Sequence, residues 1–151
     1  MTIPGAFNAG DVLTASNMNL LPAGRIGSAS ITADQTSIST MADITSLTVT
    51  FTAITGRLYL ITGKIDFLSS VADGVWGFYV TNSANTQQNQ ATGIILSTNS
   101  HTGIVHAVVQ PTSGSVTYKL RMERVSGTGT YTMQASSTRP AFILVQDLGV
   151  A

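Results

Sequence analysis

His101 and His106 are the two histidines of a chain that has no cysteine. They stand five positions apart in a stretch whose apolar residues alternate, so on a strand they point to opposite faces. A zinc site draws three or four nitrogen or sulfur ligands to one point, and this spacing supplies none. The acidic residues are six Asp and one Glu, scattered along the chain. Asp66, Asp73 and Glu123 are the ones that could meet in space, and hydrolysis of a glycoside would need two of them across a cleft. Glu123, however, alternates with Lys119 and Arg121, which reads as a solvated face with local charge pairing. The run Ser126-Gly127-Thr128-Gly129-Thr130 has the glycines of a phosphate loop but no following lysine and no helix after it; it reads as a hairpin turn. No Gly-x-Ser-x-Gly elbow is present. Catalysis, a metal and a cofactor are therefore not expected.

Binding residues are easier to nominate. Trp76 and Phe78 fall on one face of an alternating run and Tyr79 on the other. Core packing is the ordinary use of such a pair; an exposed Trp76 would instead serve as a glycan or receptor contact. The polar stretch Asn82–Gln90 reads as the longest loop, and its amides at Asn82, Asn85 and Gln87 are the companion candidates.

Charged residues make up 9% of the 151 positions, and Lys+Arg and Asp+Glu are both 7. Typical soluble domains carry about 25% charged residues, so this surface repels itself weakly and favours association. A nucleic-acid partner, which calls for a basic surplus, is not expected. Thr and Ser number 22 and 16, so hydroxyls supply much of the polar surface. No apolar run approaches the ~18 residues of a membrane span, and Met1–Gly5 lacks the basic and apolar regions of a signal peptide. The expectation is a soluble protein with no membrane partner.

The elements that would hold these residues follow a period of two from Arg25 onward. Leu47, Val49, Phe51 and Ala53 alternate with threonines; Val116, Tyr118, Leu120 and Met122 alternate with polar residues. Residues 58–68, 75–81, 92–97, 104–109 and 141–146 read as further strands, and 26–32 and 130–135 as weaker ones. Ala72-Asp73-Gly74 and Thr112-Ser113-Gly114 read as hairpin turns. The expected fold is all-β, a jelly-roll-like sandwich of about eight to ten antiparallel strands over residues 25–151. Several strands are apolar on both faces, which points to a further covered surface such as a subunit interface.

Residues 1–24 follow a different pattern. Thr14 is placed to cap a short helix over Ala15–Leu20, which Pro22 and Gly24 would end. Phe7, Val12, Leu13, Met18, Leu20 and Leu21 are more apolar side chains than a free tail carries. They must pack on the chain's own domain or on a partner.

The opening run Phe7-Asn8-Ala9-Gly10-Asp11-Val12-Leu13-Thr14-Ala15-Ser16-Asn17 and the close Arg139-Pro140-Ala141-Phe142-Ile143-Leu144-Val145-Gln146-Asp147-Leu148-Gly149 resemble the two ends of a group of tailed-bacteriophage virion structural proteins. Gly56–Gly63 and Gly114–Arg121 are similar to that group's middle strands. The group includes jelly-roll capsid decoration and minor capsid proteins, head fibres and minor tail proteins. The resemblance implies a non-enzymatic protein of the virion, commonly a homotrimer. It would be held on the outer surface of the capsid by its N-terminal arm, with the phage major capsid protein as partner. A minor tail or fibre protein that contributes to host receptor or glycan binding is the alternative. Gln146 stands where the group usually has an acidic residue, so charge at this end is not carried over.

Overall fold

A computed structural model describes residues 21–151; the helix expected over Ala15–Leu20 lies outside them. Ten strands follow in order: β1 (Gly24–Ile31), β2 (Gln35–Ile38), β3 (Ala42–Ala53), β4 (Arg57–Ser69), β5 (Val75–Asn82), β6 (Gln87–Ile94), β7 (His101–Val109), β8 (Gly114–Ser126), β9 (Tyr131–Gln134) and β10 (Ala141–Val150). There is no helix among the described residues.

The strands form two antiparallel sheets. The first has six strands, with β1 and β2 along one side, β10 and β9 next, then β4, and β7 at the far edge. β10 and β9 lie end to end along one edge of β4, pairing with residues 57–64 and 66–69 of it respectively. The second sheet has four strands in the order β3-β8-β5-β6. The chain passes between the sheets at six of its nine connections, and its first and last strands pair (Gly24 with Asp147, Ile31 with Ala141). This is jelly-roll topology, one of the ways an all-β chain limits its open edges.

Alternation builds the core. β3 turns Leu47, Val49, Phe51 and Ala53 inward and leaves Thr48, Thr50 and Thr52 outside. Its earlier inward residue is Ile44, out of phase with Leu47. The phase changes at a bulge where Ser46 adopts φ 64° and the pairing with β8 skips from Asp43 to Thr48. Two aromatic groups fill the ends of the core. Phe51 lies 4.9 Å from Tyr59 and 6.1 Å from Tyr118 (ring centroids), and Phe67 lies 5.3 Å from Trp76 and 5.5 Å from Tyr131. Between them the sheets close tightly. A Cβ at Gly63 would stand 2.5 Å from a methyl of Leu120 on the facing sheet.

Three short connections differ from expectation. The turns at 72–74, 112–114 and 126–130 were expected to join paired strands, but each carries the chain from one sheet to the other. Turn chemistry sets a reversal of direction, not which sheet receives the next strand. Gly74 and Gly127, both at positive φ, allow two of these arches to touch: a Cβ on Gly127 would lie 2.7 Å from the Gly74 Cα.

The Asn82–Gln90 stretch is not a long loop. β5 runs to Asn82 and β6 starts at Gln87, so a tight turn remains, and the strand expected over 92–97 begins five residues earlier. β2 is a strand that alternation did not reveal.

Candidate functional site: the outer face of the first sheet and the clamp at its end

The two outward faces of the sandwich carry different sets of side chains. On the second sheet, Thr50 and Thr117 share a hydroxyl hydrogen bond of 2.8 Å. Asp43 receives Lys119 and Arg121, each 2.7 Å away. Tyr79, buried, donates to Glu123 Oε1 at 2.6 Å. Burial first, then the hydrogen bond and charge of Glu123, push the Tyr79 phenol up to about 12. This face is rich in paired polar groups, though Ile94 on β6 and Val125 on β8 stand exposed at one end of the sheet.

The first sheet turns a different set outward. The pairings place Val108, Leu60 and Gln146 in one row, His106, Thr62 and Leu144 in the next, and Ile104, Lys64 and Phe142 in a third. Ile104 is 52% exposed and Val108 61%, although both stand in the middle of a regular strand. Charge enters at the far end of this face. Asp66 accepts from Lys64 and Thr102, both at 2.6 Å, and Arg139 lies 3.8 Å away. Desolvation pushes the Asp66 carboxyl up. The hydrogen bonds from Lys64 and Thr102 and the charges of Lys64 and Arg139 outweigh it and hold the group below the usual aspartate value.

At the opposite end a buried ion pair closes the sheet. Arg57 begins β4 and Asp147 lies near the end of β10, and both are nearly inaccessible, at 6% and 5%. Arg57 donates through Nε to Asp147 Oδ2 at 2.8 Å, with an Nη 2.7 Å from the same oxygen. The other Asp147 oxygen accepts from the Gly149 amide at 2.8 Å and so fixes the bulge where β10 departs from register with β4. Arg57 also donates to the Leu21 carbonyl at 2.6 Å. The clamp therefore ties the segment that leads into β1 to the ends of β4 and β10.

The nominated residues divide clearly. Phe7, Val12, Leu13, Met18 and Leu20 lie outside the described residues. Leu21 lies at the clamp, with its side chain exposed. Trp76 is not an exposed contact: it is 8% exposed and packs edge-on against Phe67, because its strand position faces the core. Asn82 is committed to the turn, its side-chain oxygen accepting from the amides of Ala84 and Thr86. Asn85 holds a left-handed backbone (φ 65°) in the same turn. Gln87 is exposed on β6 and donates to Gln90. These residues do not converge on a common surface with Trp76.

His101 and His106 do face opposite sides of β7, as their spacing requires. His101 stacks on Phe67 at 5.4 Å, and His106 Nδ1 is 3.1 Å from Thr62 Oγ1 on the outer face. Asp66 and Glu123 sit on the outer faces of different sheets and are not brought together. Among the described residues no three metal-ligating side chains cluster.

No protein-family model matches the chain, and no curated protein matches its sequence. Solved structures do match in shape. Eiger TNF from S. frugiperda is 16% identical with a TM-score of 0.50, over 85% of this chain and 95% of that one. Murine APRIL is 9% identical with a TM-score of 0.50, over 81% of this chain and 98% of that one. The T13 viral particle of infectious bursal disease virus is 12% identical at a TM-score of 0.42, over 82% of this chain and 36% of that one. At these identities the first two likenesses establish the jelly-roll fold alone, and the third is too distant to add to it.

Two outcomes follow from the charged groups. Asp147→Asn leaves the Arg57 charge buried against a neutral amide and should cost about 3–5 kcal/mol, read as a lower urea midpoint; an unchanged midpoint would mean that the pair does not hold the sheet ends. Asp66 has a folded value below its unfolded one. Its contribution is therefore complete above about pH 4 and lost as pH falls through the folded value. Stability of the native protein should fall more steeply than that of Asp66→Asn as pH drops below about 4, in parallel urea titrations.

Proposed function

We propose that this chain is a non-enzymatic structural protein of a tailed-phage virion. It is a capsid decoration or minor capsid protein that binds the outer shell as a homotrimer through an N-terminal arm and stabilises it. The carrying observation is exposed apolar side chains on regular strands, Ile104 and Val108 on the outer face of the first sheet among them, in a chain with few charges. Covering exposed apolar surface releases about 25 cal/mol per Å². A chain with balanced charge meets little repulsion when copies approach.

In this reading the first sheets of the copies pack around the symmetry axis, where a cyclic assembly repeats the same contacts. The polar faces point outward. The Arg57 clamp on the Leu21 carbonyl gives the arm a rigid root. Stabilisation of the shell follows from mass action, since a ligand of the assembled state alone favours that state. A receptor-binding tail or fibre module is the rival; Trp76 is buried and Asn82 is taken up by its turn, which leaves Asn85 and Gln87 as its exposed nominated contacts.

The test separates the two parts. Deletion of residues 2–20, which keeps Leu21 for the clamp, should leave an assembled, folded protein that no longer enters virions during infection. Ile104→Glu should give a folded monomer in sedimentation, because the charge would have to be desolvated at the contact. Incorporation of the truncated protein would overturn the arm's role, and an assembly unaffected by Ile104→Glu would overturn the face's.

A further inference from the structure

Nine large apolar side chains are exposed among the described residues, and four of them gather at the clamp end of the sandwich: Leu21, Ile54, Leu148 and Val150. Backbone contacts bring them there. Arg57 donates from its guanidinium to the Leu21 carbonyl at 2.6 Å and from its amide to the Ile54 carbonyl at 3.2 Å. Val150 pairs with Arg57 across the ladder between β4 and β10, and Leu148 occupies the bulge between Asp147 and Gly149. The Ile54 amide donates to the Tyr59 hydroxyl at 2.9 Å, which fixes the turn that holds its side chain in water, 59% exposed. The two charges in the midst of this group are buried and paired with each other. Arg25 of β1, exposed and opposite Gln146, stands at its rim.

We propose that this apolar end is the docking site of the chain's own residues 12–20, which lead into Leu21. The place where the chain enters argues for that occupant. The Leu21 carbonyl is held inside the group. An extended chain advances at most about 3.5 Å per residue, so Leu20 and Met18 start within about 10 Å of it and Val12 within about 30 Å. Residues 12–20 carry four large apolar side chains, Val12, Leu13, Met18 and Leu20, and no charged one. Nothing ionised has to be stripped of water when they cover the patch. Covering apolar surface supplies the driving force, and closing so short a loop costs little. The tether makes the encounter intramolecular, an advantage that a second copy or a separate partner lacks. The inference does not rest on the virion reading. It divides the arm into a part held on its own domain and a part, residues 1–11 with Phe7, left for attachment.

Limited proteolysis of the full chain with thermolysin, which cuts before bulky apolar residues, tests this when the cut sites are read by mass spectrometry. The bond before Phe7 is the internal reference. Relative to it, the bonds before Leu13, Met18 and Leu20 should be cut about tenfold faster in Ile54→Asp and in Val150→Asp than in the native protein, because cleavage follows the undocked fraction. Ile104→Glu, further along the first sheet, should behave as the native protein does. Fluorescence of Trp76, buried in the core, reports that each variant is folded. The chain has no cysteine, so Met18→Cys combined with Val150→Cys shows independently which chain docks, and a disulfide within one chain is expected.

Relative cleavage that neither patch variant changes, or that Ile104→Glu raises as much, overturns the inference. So does a disulfide that joins two chains, which would mean exchange of the segment between copies, or the formation of none. These readouts use isolated protein, so their failure leaves the virion reading standing, and loss of that reading at the incorporation test leaves this docking standing.

Discussion

An arginine and an aspartate distant in sequence, both almost wholly buried, hold the end of the jelly roll from which the N-terminal segment departs. Burying two charges costs several kcal/mol per ion unless every donor and acceptor is used. Here the carboxylate takes the guanidinium on one oxygen and the Gly149 amide on the other. The guanidinium reaches on to the Leu21 carbonyl. One interaction thus fixes the start of β4, the bulge in β10 and the entry to β1. Remove it and the first sheet loses the closure at this end.

That closure matters because the first sheet carries the outer face on which the proposed contact is placed. On the second sheet Asp43 takes Lys119 and Arg121, and Glu123 takes the Tyr79 hydroxyl. Ile104 and Val108 on the first sheet sit in the open, the one in a row with Lys64 and Phe142 and the other in a row with Leu60 and Gln146. In the proposed function, exposed apolar strand residues on a weakly charged protein are what a covered surface would use.

Much of the architecture was legible in the sequence, for a definite reason. Where one face of a strand meets the core and the other meets water, the period of two is written in residue type, as in Leu47–Ala53 and Val116–Glu123. The resulting count of eight to ten strands agrees with the ten found. The failures share a cause too. β2 is four residues long and cannot display a period. β6 begins with Gln87-Gln88-Asn89-Gln90, polar because it forms the sheet edge, and so reads as loop. The arches at Gly74 and Gly127 look like hairpins because local turn chemistry does not know about the second sheet. Trp76 was a candidate contact only while its face was unassigned. The Arg57–Asp147 clamp was beyond local reading altogether: neither residue announces a partner 90 positions away.

The central claim, that this jelly roll clothes a shell lattice and does not serve a unique vertex or tail tip, is tested most directly by the number of copies per particle. Quantitative mass spectrometry of purified virions, referenced to the major shell protein, gives that number. The account predicts a count on the order of hundreds, in simple ratio to the shell subunit, as a stabilising ligand of a repeated surface requires. A count on the order of a few to a few tens would contradict it and place the protein at the tail or a single vertex.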